Sequence, residues 1–197
     1  MFTGIIEEVG SISKIEASGG NIDYTIKANL TKELKIDQSV AHNGVCLTVV
    51  DLQDDSYKVT AIEETLNKTN LKHWTEGHLI NLERGMKMNA HLDGHIVQGH
   101  VDQVATCTEA ITKDGSWEYT FAYDPKAMNV TIEKGSITIN GVSLTVVNSK
   151  LNTFSVAIIP YTYENTSFKT LKKGDVVNLE FDVIGKYVKR LMELKTE

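Results

Sequence analysis

The feature of this sequence that most constrains its fold is an internal repeat. Residues 39–84 align with residues 136–181 without a gap, and 17 of the 46 aligned pairs are identical. The alignment contains an eight-residue segment that reads NGVCLTVV at 43–50 and NGVSLTVV at 140–147. The start of the chain also has a counterpart, because FTGIIEEVG at 2–10 aligns with VQGHVDQVA at 97–105. A repeat of this length predicts two lobes of about 90 residues that share one fold.

Each lobe has the sequence pattern of β-strands. Segments such as YKVTAI in the first lobe and TFSVAII in the second are rich in Val, Ile and Thr, and clusters of Gly, Asp and Asn bound them. Two segments, ETLNKTNLK and YTYENTSFK, are expected to form one or two helical turns between strands. The sequence therefore predicts an all-β fold of two tandem antiparallel barrels, with domains at residues 1–88 and 89–183.

The end of the chain has a helical pattern, and we assign residues 184–197 to a C-terminal helix. Ile184, Tyr187, Val188, Leu191 and Met192 recur at helical spacing with Lys and Arg between them. Such an amphipathic helix needs a surface to cover. It either caps its own lobe or bundles with copies of itself in an oligomer, and the sequence leaves both possibilities open.

Composition excludes several classes of function. The formal net charge of −6 argues against a nucleic-acid partner, because binding to a phosphate backbone depends on clustered Lys and Arg. The two cysteines, Cys46 and Cys107, provide neither a disulfide framework nor a CxxC metal site. We expect no membrane-spanning segment and no secretory signal, since no long apolar run is present and MFTGIIEEVG lacks basic and apolar blocks. These features predict a cytoplasmic location.

The positions at which the two copies differ are candidates for a duplicated binding site that has specialised. Cys46 in the first copy corresponds to Ser143 in the second, and the hydroxyls of Thr48 and Thr145 lie two residues further along, on the same strand face. Either threonine could equally be a simple strand former. His42 is predicted to face the same way as Cys46, with Ile139 as its counterpart.

The segment HLDGHIVQGHVD at 91–102 concentrates His91, His95 and His100 with two aspartates. Three imidazoles and a carboxylate could bind zinc. However, Gly94 and Gly99 interrupt any helix that would stack the histidines, so we predict no metal site. An imidazole that titrates near neutrality is better interpreted as an acid, a base or a hydrogen-bond partner of an organic ligand.

Taken together, the motifs FTGI, SVAHNGVCLTV, ETL, GHIVQGHVD, KGSITINGVSLTV, IPYT and LEFD-x3-KYVKRL resemble those of riboflavin synthase of the alpha-chain type. The resemblance covers essentially the whole chain, in order. It implies six-stranded Greek-key barrels, a homotrimer in which barrels of neighbouring subunits face each other, and no cofactor. The implied reaction is the dismutation of 6,7-dimethyl-8-ribityllumazine: one molecule gives a four-carbon unit to a second, which yields riboflavin and 5-amino-6-(D-ribitylamino)uracil.

Carried over position by position, the resemblance implies two sets of ligand contacts and one set of polar residues that take part in turnover. The first-lobe contacts are Gly4, Ile5, Ile6, Cys46, Leu47, Thr48, Thr60, Ala61, Ile62, Glu63, Glu64 and Thr65. The second-lobe contacts are Gly99, His100, Val101, Lys134, Ser143, Leu144, Thr145, Ile159, Pro160, Tyr161, Thr162, Tyr163 and Glu164. The implicated polar residues are Cys46, His95, His100, Ser143 and Asp182, with Ser39 as a further candidate. We assign proton transfer or acceptor activation to His100 and Cys46, and positioning to Ser143 and Asp182.

The sequence departs from the family pattern at Tyr161 and Tyr163, which are bulkier than the residues of the IPETLE form, and at Val45, where some relatives have a second cysteine. A non-catalytic lumazine-binding antenna protein is the main alternative function. The retained histidines of the GHIVQGH segment and the C-terminal helix favour an enzyme over such a binder.

Overall fold

The computed structural model describes residues 1–194 as two closed six-stranded antiparallel barrels followed by a helix. The strands of the first barrel are β1 (Glu8–Ser18), β2 (Asn21–Lys27), β3 (Ser39–His42), β4 (Val45–Leu52), β5 (Ser56–Ala61) and β6 (Leu79–Arg84). Those of the second are β7 (Gln103–Lys113), β8 (Ser116–Tyr123), β9 (Ser136–Ile139), β10 (Val142–Val147), β11 (Thr153–Ile158) and β12 (Val176–Phe181). The α-helices are α1 (Glu63–Lys68), α2 (Pro160–Asn165) and α3 (Val183–Glu193). The predicted all-β class is confirmed.

The strand order of each barrel is that of a Greek key. In the first barrel the order around the closed sheet is β1, β2, β5, β4, β3, β6, so that β6 returns to lie beside β3 after the β3–β4–β5 meander. The second barrel repeats this order with β7–β12. Closure satisfies the hydrogen-bonding groups of both sheet edges, because each edge strand pairs with the other.

Alternating strand residues fill the two barrels. Tyr24, Ile26 and Val59 are among the fully buried residues of the first core, and Phe121 and Phe154 are among those of the second. Each core is continuous within its own barrel. The repeat seen in the sequence therefore corresponds to two independent hydrophobic cores.

The two barrels meet at a pair of equivalent hairpin turns. Asn43 and Gly44, like Asn140 and Gly141, have positive φ values of 46°, 79°, 45° and 82°, as a two-residue turn of type I′ requires. The turns pack backbone to backbone, because a Cβ added to Gly44 would lie 2.8 Å from the nitrogen of Gly141. Buried asparagines join them: the Nδ2 group of Asn81 donates to the carbonyl of Asn140 at 2.8 Å, and the equivalent bond runs from Asn178 to Asn43 at 2.9 Å.

Helix α3 begins at Val183, one residue before the predicted start, because the Asp182 carboxylate accepts the N–H of Ile184 at 2.9 Å as an N-cap. Two polar contacts tie the helix to the second barrel: Lys186 pairs with Asp102 at 2.7 Å, and Lys189 donates to the Ala127 carbonyl at 2.8 Å. The apolar side chains of α3 do not cap that barrel. They are exposed, with 66% of Ile184, 71% of Tyr187 and 61% of Leu191 accessible to solvent.

The last three residues of the predicted helix, 195–197, lie outside the described part of the chain. Within residues 1–194, none of the helices has the length and apolar character that a membrane-spanning helix needs. The domain boundaries at 88 and 183 remain predictions; β6 ends at Arg84 and β7 begins at Gln103.

Candidate active site

Two short segments, residues 2–4 and 97–99, cross between the barrels and line the positions at which the repeats differ. Phe2 and Val97 pair with each other through backbone hydrogen bonds of 2.7 and 3.1 Å. Beyond this pair, the Gly4 carbonyl accepts the N–H of Ser143 at 2.8 Å, and the Gly99 carbonyl accepts the N–H of Cys46 at 2.9 Å. Each segment therefore contacts the strand of the opposite barrel.

This exchange corrects the predicted grouping of the contacts. The prediction places residues 4–6 in the first lobe and residues 99–101 in the second, but Ile6 packs against the second core and Val101 against the first. Gly4 and Gly99 sit at positive φ of 78° and 79°, and an added Cβ would lie 2.5 Å from Ser143 Cβ and 2.7 Å from Cys46 Cβ, respectively. Only a glycine allows so close an approach of backbone to strand. Sequence order groups the segments by chain position, whereas the pairing of Phe2 with Val97 sends each to the other barrel.

Two buried glutamates that the site prediction missed fix these segments. Glu83 accepts the N–H of Thr3 at 2.6 Å, its hydroxyl at 2.7 Å and the N–H of Gly4 at 2.9 Å. Glu180 accepts the N–H groups of Gln98, Gly99 and His100 at 2.7, 2.9 and 2.9 Å. Burial raises the pKa of both carboxyls, against the effect of these donors. The signal that could have found both residues is the triplet Asn-Leu-Glu, which is identical in the two lobes at 81–83 and 178–180.

In the first barrel, Cys46 is half-buried beside Phe2 and Val97, and Ala41 lies opposite it on β3. Thr48 is exposed on the same strand, directly opposite the exposed Ser39. These residues form one continuous face of the β3–β4 hairpin. Of the remaining first-lobe candidates, Ala61 is buried in the core, Ile62, Glu63 and Glu64 are exposed, and Thr60 and Thr65 are half-buried.

In the second barrel, His95 lies against the strand that carries Ser143. Its Nδ1 is 2.7 Å from the Ser143 hydroxyl, and its Nε2 is 3.1 Å from the hydroxyl of Thr138. The His95 N–H donates to the Thr3 carbonyl at 3.1 Å, which fixes the backbone as well as the ring. Burial lowers the pKa of His95, and the charge of Asp182 opposes this effect. A neutral imidazole can donate from one nitrogen and accept at the other.

The predicted polar residues thus fall into two groups. His95, Ser143 and Asp182 come together at the second barrel. Cys46 and Ser39 lie on the first barrel, and the Gly99 carbonyl links Cys46 to the segment that carries His100. The His100 side chain is exposed, and its backbone N–H is fixed by Glu180.

His42 does not face the same way as Cys46, and that prediction is wrong. Its side chain is fully buried in the first barrel, where Nε2 lies 2.8 Å from the hydroxyl of Tyr57. The residue follows the inward face of β3, since it pairs with the core residue Val45 across the hairpin. In the second barrel the corresponding buried residues are Ile139 and Phe154.

The segment 159–164 forms the N-cap and most of α2 and carries the tyrosines that depart from the family pattern. The ring of Tyr163 stacks on Trp117 with centroids 3.8 Å apart and an interplanar angle of 3°. Tyr161 is exposed. The stack attaches α2 to the second barrel. In the first barrel the corresponding residues are Leu66 and Ile22, which pack against the core and form no aromatic stack.

Lys134, another predicted contact, lies at the turn before β9. Its side chain is exposed and its φ of 64° is positive. The N–H of Lys134 donates to the Val146 carbonyl at 2.9 Å, so the turn is held against β10, the strand that carries Ser143.

The open clefts of the described residues include one between the barrels and one beside the N-terminal segment. The larger, about 610 Å³, lies between the barrels and includes Asn43, Trp74 and Asp175 in its lining, but none of the predicted contacts. The second, about 540 Å³, is lined by Ile5 together with Glu83 and other residues. Among residues 1–194 no cluster of three or more His, Cys, Asp or Glu side chains has the arrangement of a metal site.

Two tandem Greek-key barrels with equivalent but chemically different strand faces define a class of protein with a duplicated ligand-binding barrel. The family described as "Lumazine binding domain" matches residues 3–85 and 98–182, one copy for each barrel. The chain is 41% identical to riboflavin synthase of Actinobacillus pleuropneumoniae over 98% of this chain and 90% of the relative, and 38% identical to that of Bacillus subtilis over 100% and 92%. The chain belongs to the riboflavin synthase family.

Solved structures have the same fold. The crystal structure of LumP complexed with riboflavin superposes with a TM-score of 0.86 and 23% identity, and covers 92% of this chain and 100% of LumP. LumP complexed with 6,7-dimethyl-8-(1'-D-ribityl) lumazine gives a TM-score of 0.83 at 22% identity, over 92% of this chain and 99% of LumP. At this level of identity the likeness shows the fold alone.

Proposed function

We propose that this chain is a riboflavin synthase, a transferase that converts two molecules of 6,7-dimethyl-8-ribityllumazine into riboflavin and 5-amino-6-(D-ribitylamino)uracil. One molecule donates a four-carbon unit and the other accepts it. The two products together contain all the atoms of two substrate molecules, so the reaction needs no oxidant or second substrate. In the riboflavin synthase family, this dismutation is the last step of riboflavin biosynthesis.

The observation that carries the proposal is the pair of equivalent faces with unequal chemistry. A reaction that consumes two copies of one compound can use two copies of one pocket, provided that the pockets treat donor and acceptor differently. In this chain Cys46 faces Ala41 in the first barrel, whereas Ser143 faces Thr138 and bonds His95 in the second. The two faces therefore share a backbone framework and differ in their acid–base groups.

The catalytic task divides into proton transfer and proximity. The methyl group at C7 of the lumazine is acidic, because its anion delocalises into the ring, so a modest base and donors toward the ring oxygens are sufficient. Holding two flat heterocycles face to face converts a bimolecular encounter into an intramolecular step, an effect that can reach roughly 7–11 kcal/mol. The predicted contacts of both lobes stand as the proposed ligand-binding residues.

A homotrimer with active sites between subunits belongs to the same proposal. Its support is the apolar surface that one chain leaves open, which includes the α3 side chains and also Ile62, Ile159 and Tyr161 beside the proposed pockets. We also propose a cytoplasmic location, with which the free thiols of Cys46 and Cys107 agree.

The test is multiple turnover. The purified chain, at a concentration far below that of 6,7-dimethyl-8-ribityllumazine, is expected to form many equivalents of riboflavin, measured by its fluorescence. Stoichiometric binding of the lumazine without repeated turnover would contradict the proposal and support a non-catalytic antenna protein instead.

A substitution copied from the first lobe tests the role of His100. Ile5 occupies the corresponding position, so His100→Ile should keep the segment geometry that Glu180 fixes while it removes the imidazole. We expect kcat to fall by roughly 100-fold, in the range for loss of a general acid or base, with little change in the Kd of the lumazine. His73→Gln, at an exposed histidine of the inter-barrel cleft, is the control. A large loss of affinity with turnover per bound ligand unchanged would refute this role.

A further inference from the structure

A chain of three side chains runs across the second barrel: the Ser143 hydroxyl, the His95 imidazole and the Thr138 hydroxyl. The contacts are 2.7 Å at Nδ1 and 3.1 Å at Nε2. Both ring nitrogens of His95 are therefore occupied by hydroxyl groups. Thr138 belongs to none of the predicted catalytic or substrate-binding positions.

Strand register explains why the two hydroxyls flank one ring. Ser143 on β10 is paired directly with Thr138 on β9 in the antiparallel ladder, so their side chains leave the sheet on the same face. Thr138 is 1% exposed and cannot exchange its imidazole contact for bulk water. The Thr3 carbonyl fixes the backbone N–H of His95, so the ring has little freedom to leave this arrangement.

The first barrel has different residues at these places. Ala41 and Cys46 are paired at the positions of Thr138 and Ser143, and the Ala41 methyl group can neither donate nor accept a hydrogen bond. The two faces therefore differ at two strand positions, because the change from Cys46 to Ser143 accompanies the change from Ala41 to Thr138.

The tautomer of His95 decides the direction of each hydrogen bond, because a hydroxyl group can donate or accept. With Nε2 protonated, the Nε2–H group donates to the Thr138 hydroxyl and Nδ1 accepts from the Ser143 hydroxyl. With Nδ1 protonated, both directions are reversed. Only in the Nε2–H tautomer is His95 positioned to accept a proton through Ser143.

We propose that Thr138 is a positioning residue of the second pocket, which selects the Nε2–H tautomer of His95 and thereby leaves Nδ1 as the acceptor for the Ser143 hydroxyl. This inference rests on the proposed function of the chain. Thr138 acts through His95 and does not touch the substrate. When the hydroxyl at position 138 holds His95 in the Nε2–H form, Nδ1 accepts the hydrogen bond of the Ser143 hydroxyl. The Ser143 oxygen is then a better hydrogen-bond acceptor and proton carrier toward the ligand than that of an isolated serine.

The decisive readout is the tautomer of His95, measured by nitrogen NMR of protein labelled at histidine, with the His95 signals assigned by their loss in His95→Gln. The unsubstituted chain should show Nε2 protonated. Thr138→Val keeps the shape and removes the hydroxyl, so His95 should shift toward the Nδ1–H form, and kcat should fall roughly tenfold with KM changed less than about twofold. Thr138→Ser should restore both values.

A matched control separates positioning from barrel stability. The hydroxyls of Thr120 and Ser155 form a hydrogen bond of 2.9 Å in the same barrel, on the β8–β11 ladder. Thr120→Val should lower the thermal midpoint about as much as Thr138→Val, without a change in the His95 signals or in kcat. An equal fall in kcat in the control would overturn the positioning role.

Turnover and the His95 signals report on different properties of the chain. If the unsubstituted chain gave no turnover, the proposed function would fail, while the NMR comparison would still decide whether Thr138 sets the tautomer. If Thr138→Val left the His95 signals unchanged, the inference would be wrong, whatever the activity.

Discussion

At the scale of single residues, matched positions of the two barrels give different local chemistry in the same backbone. His42 and Tyr57 form a buried polar pair in the first barrel, and Ile139 and Phe154 occupy the corresponding places in the second. Burial lowers the pKa of His42 to about 4, from an ordinary value of 6.5. The buried imidazole therefore stays neutral over a pH range in which an exposed one would be charged.

The buried imidazole predicts an acid-sensitive first barrel. Between pH 6.5 and 4 the unfolded chain binds a proton at residue 42 that the folded chain does not, so the stability present above pH 6.5 is lost as the pH falls through this window. The expected loss is about 3 kcal/mol, from roughly 1.4 kcal/mol per pKa unit. His42→Ile combined with Tyr57→Phe, which copies the second barrel, should remove most of it. Urea unfolding at about pH 7 and about pH 4 measures this.

The single substitution His73→Gln, at an exposed histidine, is the control and should leave the pH dependence unchanged. If the double variant lost as much stability on acidification as the unsubstituted chain, His42 would not be the group that titrates.

Asp182 allows the electrostatics of His95 to be tested. Its charge raises the pKa of His95 against the larger effect of burial, and its carboxylate also caps α3. Asp182→Asn keeps an N-cap side chain and removes the charge. Because the neutral imidazole is the working form, the acid limb of kcat/KM should move to lower pH in this variant. Asp182→Ala also loses the cap and should in addition reduce the helical signal in circular dichroism. An acid limb that moved to higher pH in Asp182→Asn would contradict the assigned effect of Asp182 on His95.

At the scale of elements, strands and helices follow local sequence patterns, but the contacts that each element makes in the fold do not follow from those patterns. The apolar stripe of α3 is readable from its spacing, whereas its attachment through Lys186 and Lys189, with the stripe facing outward, depends on Asp102 and Ala127 of the second barrel. Contiguous exposed apolar surface marks a site of interaction with another protein or a membrane, and the proposed trimer would cover this stripe.

This stripe predicts the assembly. Tyr187→Glu combined with Leu191→Glu places charges on the stripe and leaves Lys186 and Lys189 in place, so the barrels should stay folded while the proposed trimer dissociates to single chains. Sedimentation equilibrium measures the mass, and circular dichroism checks the fold. Lys169→Glu, at an exposed site on the second barrel, should leave the mass unchanged. A chain that is monomeric before substitution would refute the proposed trimer.

At the scale of the whole molecule, the junction of the barrels depends on two hairpin turns that approach within van der Waals contact. Gly44 and Gly141 each need a positive φ for their own turn, and each also leaves room for the backbone of the other. The conformational requirement is local, but the steric one arises only when both barrels are docked.

A pair of glycine substitutions separates these two requirements. Gly19 has a φ of 63° with nothing within 4 Å of an added Cβ, so Gly19→Ala should cost about 1–2 kcal/mol of unfolding free energy for the left-handed backbone alone. Gly44→Ala adds a contact 2.8 Å from the Gly141 nitrogen, and overpacking of this kind costs about 1–3 kcal/mol more. Urea unfolding of both variants gives the difference in unfolding free energy. Equal losses of unfolding free energy would mean that the junction accommodates the added methyl group without strain.

The sequence by itself determined the two barrels, their strands and the amphipathic helix, because period-two and helical patterns reflect backbone geometry over a few residues. It also identified His95, Ser143 and Cys46 as candidate site residues, because they lie in or beside the segments where the repeats diverge. Only the tertiary structure decided that residues 2–4 and 97–99 exchange barrels, that His42 points inward, and that Thr138 completes a chain with His95. Those arrangements depend on strand register and on how one barrel packs against the other, which no local pattern encodes.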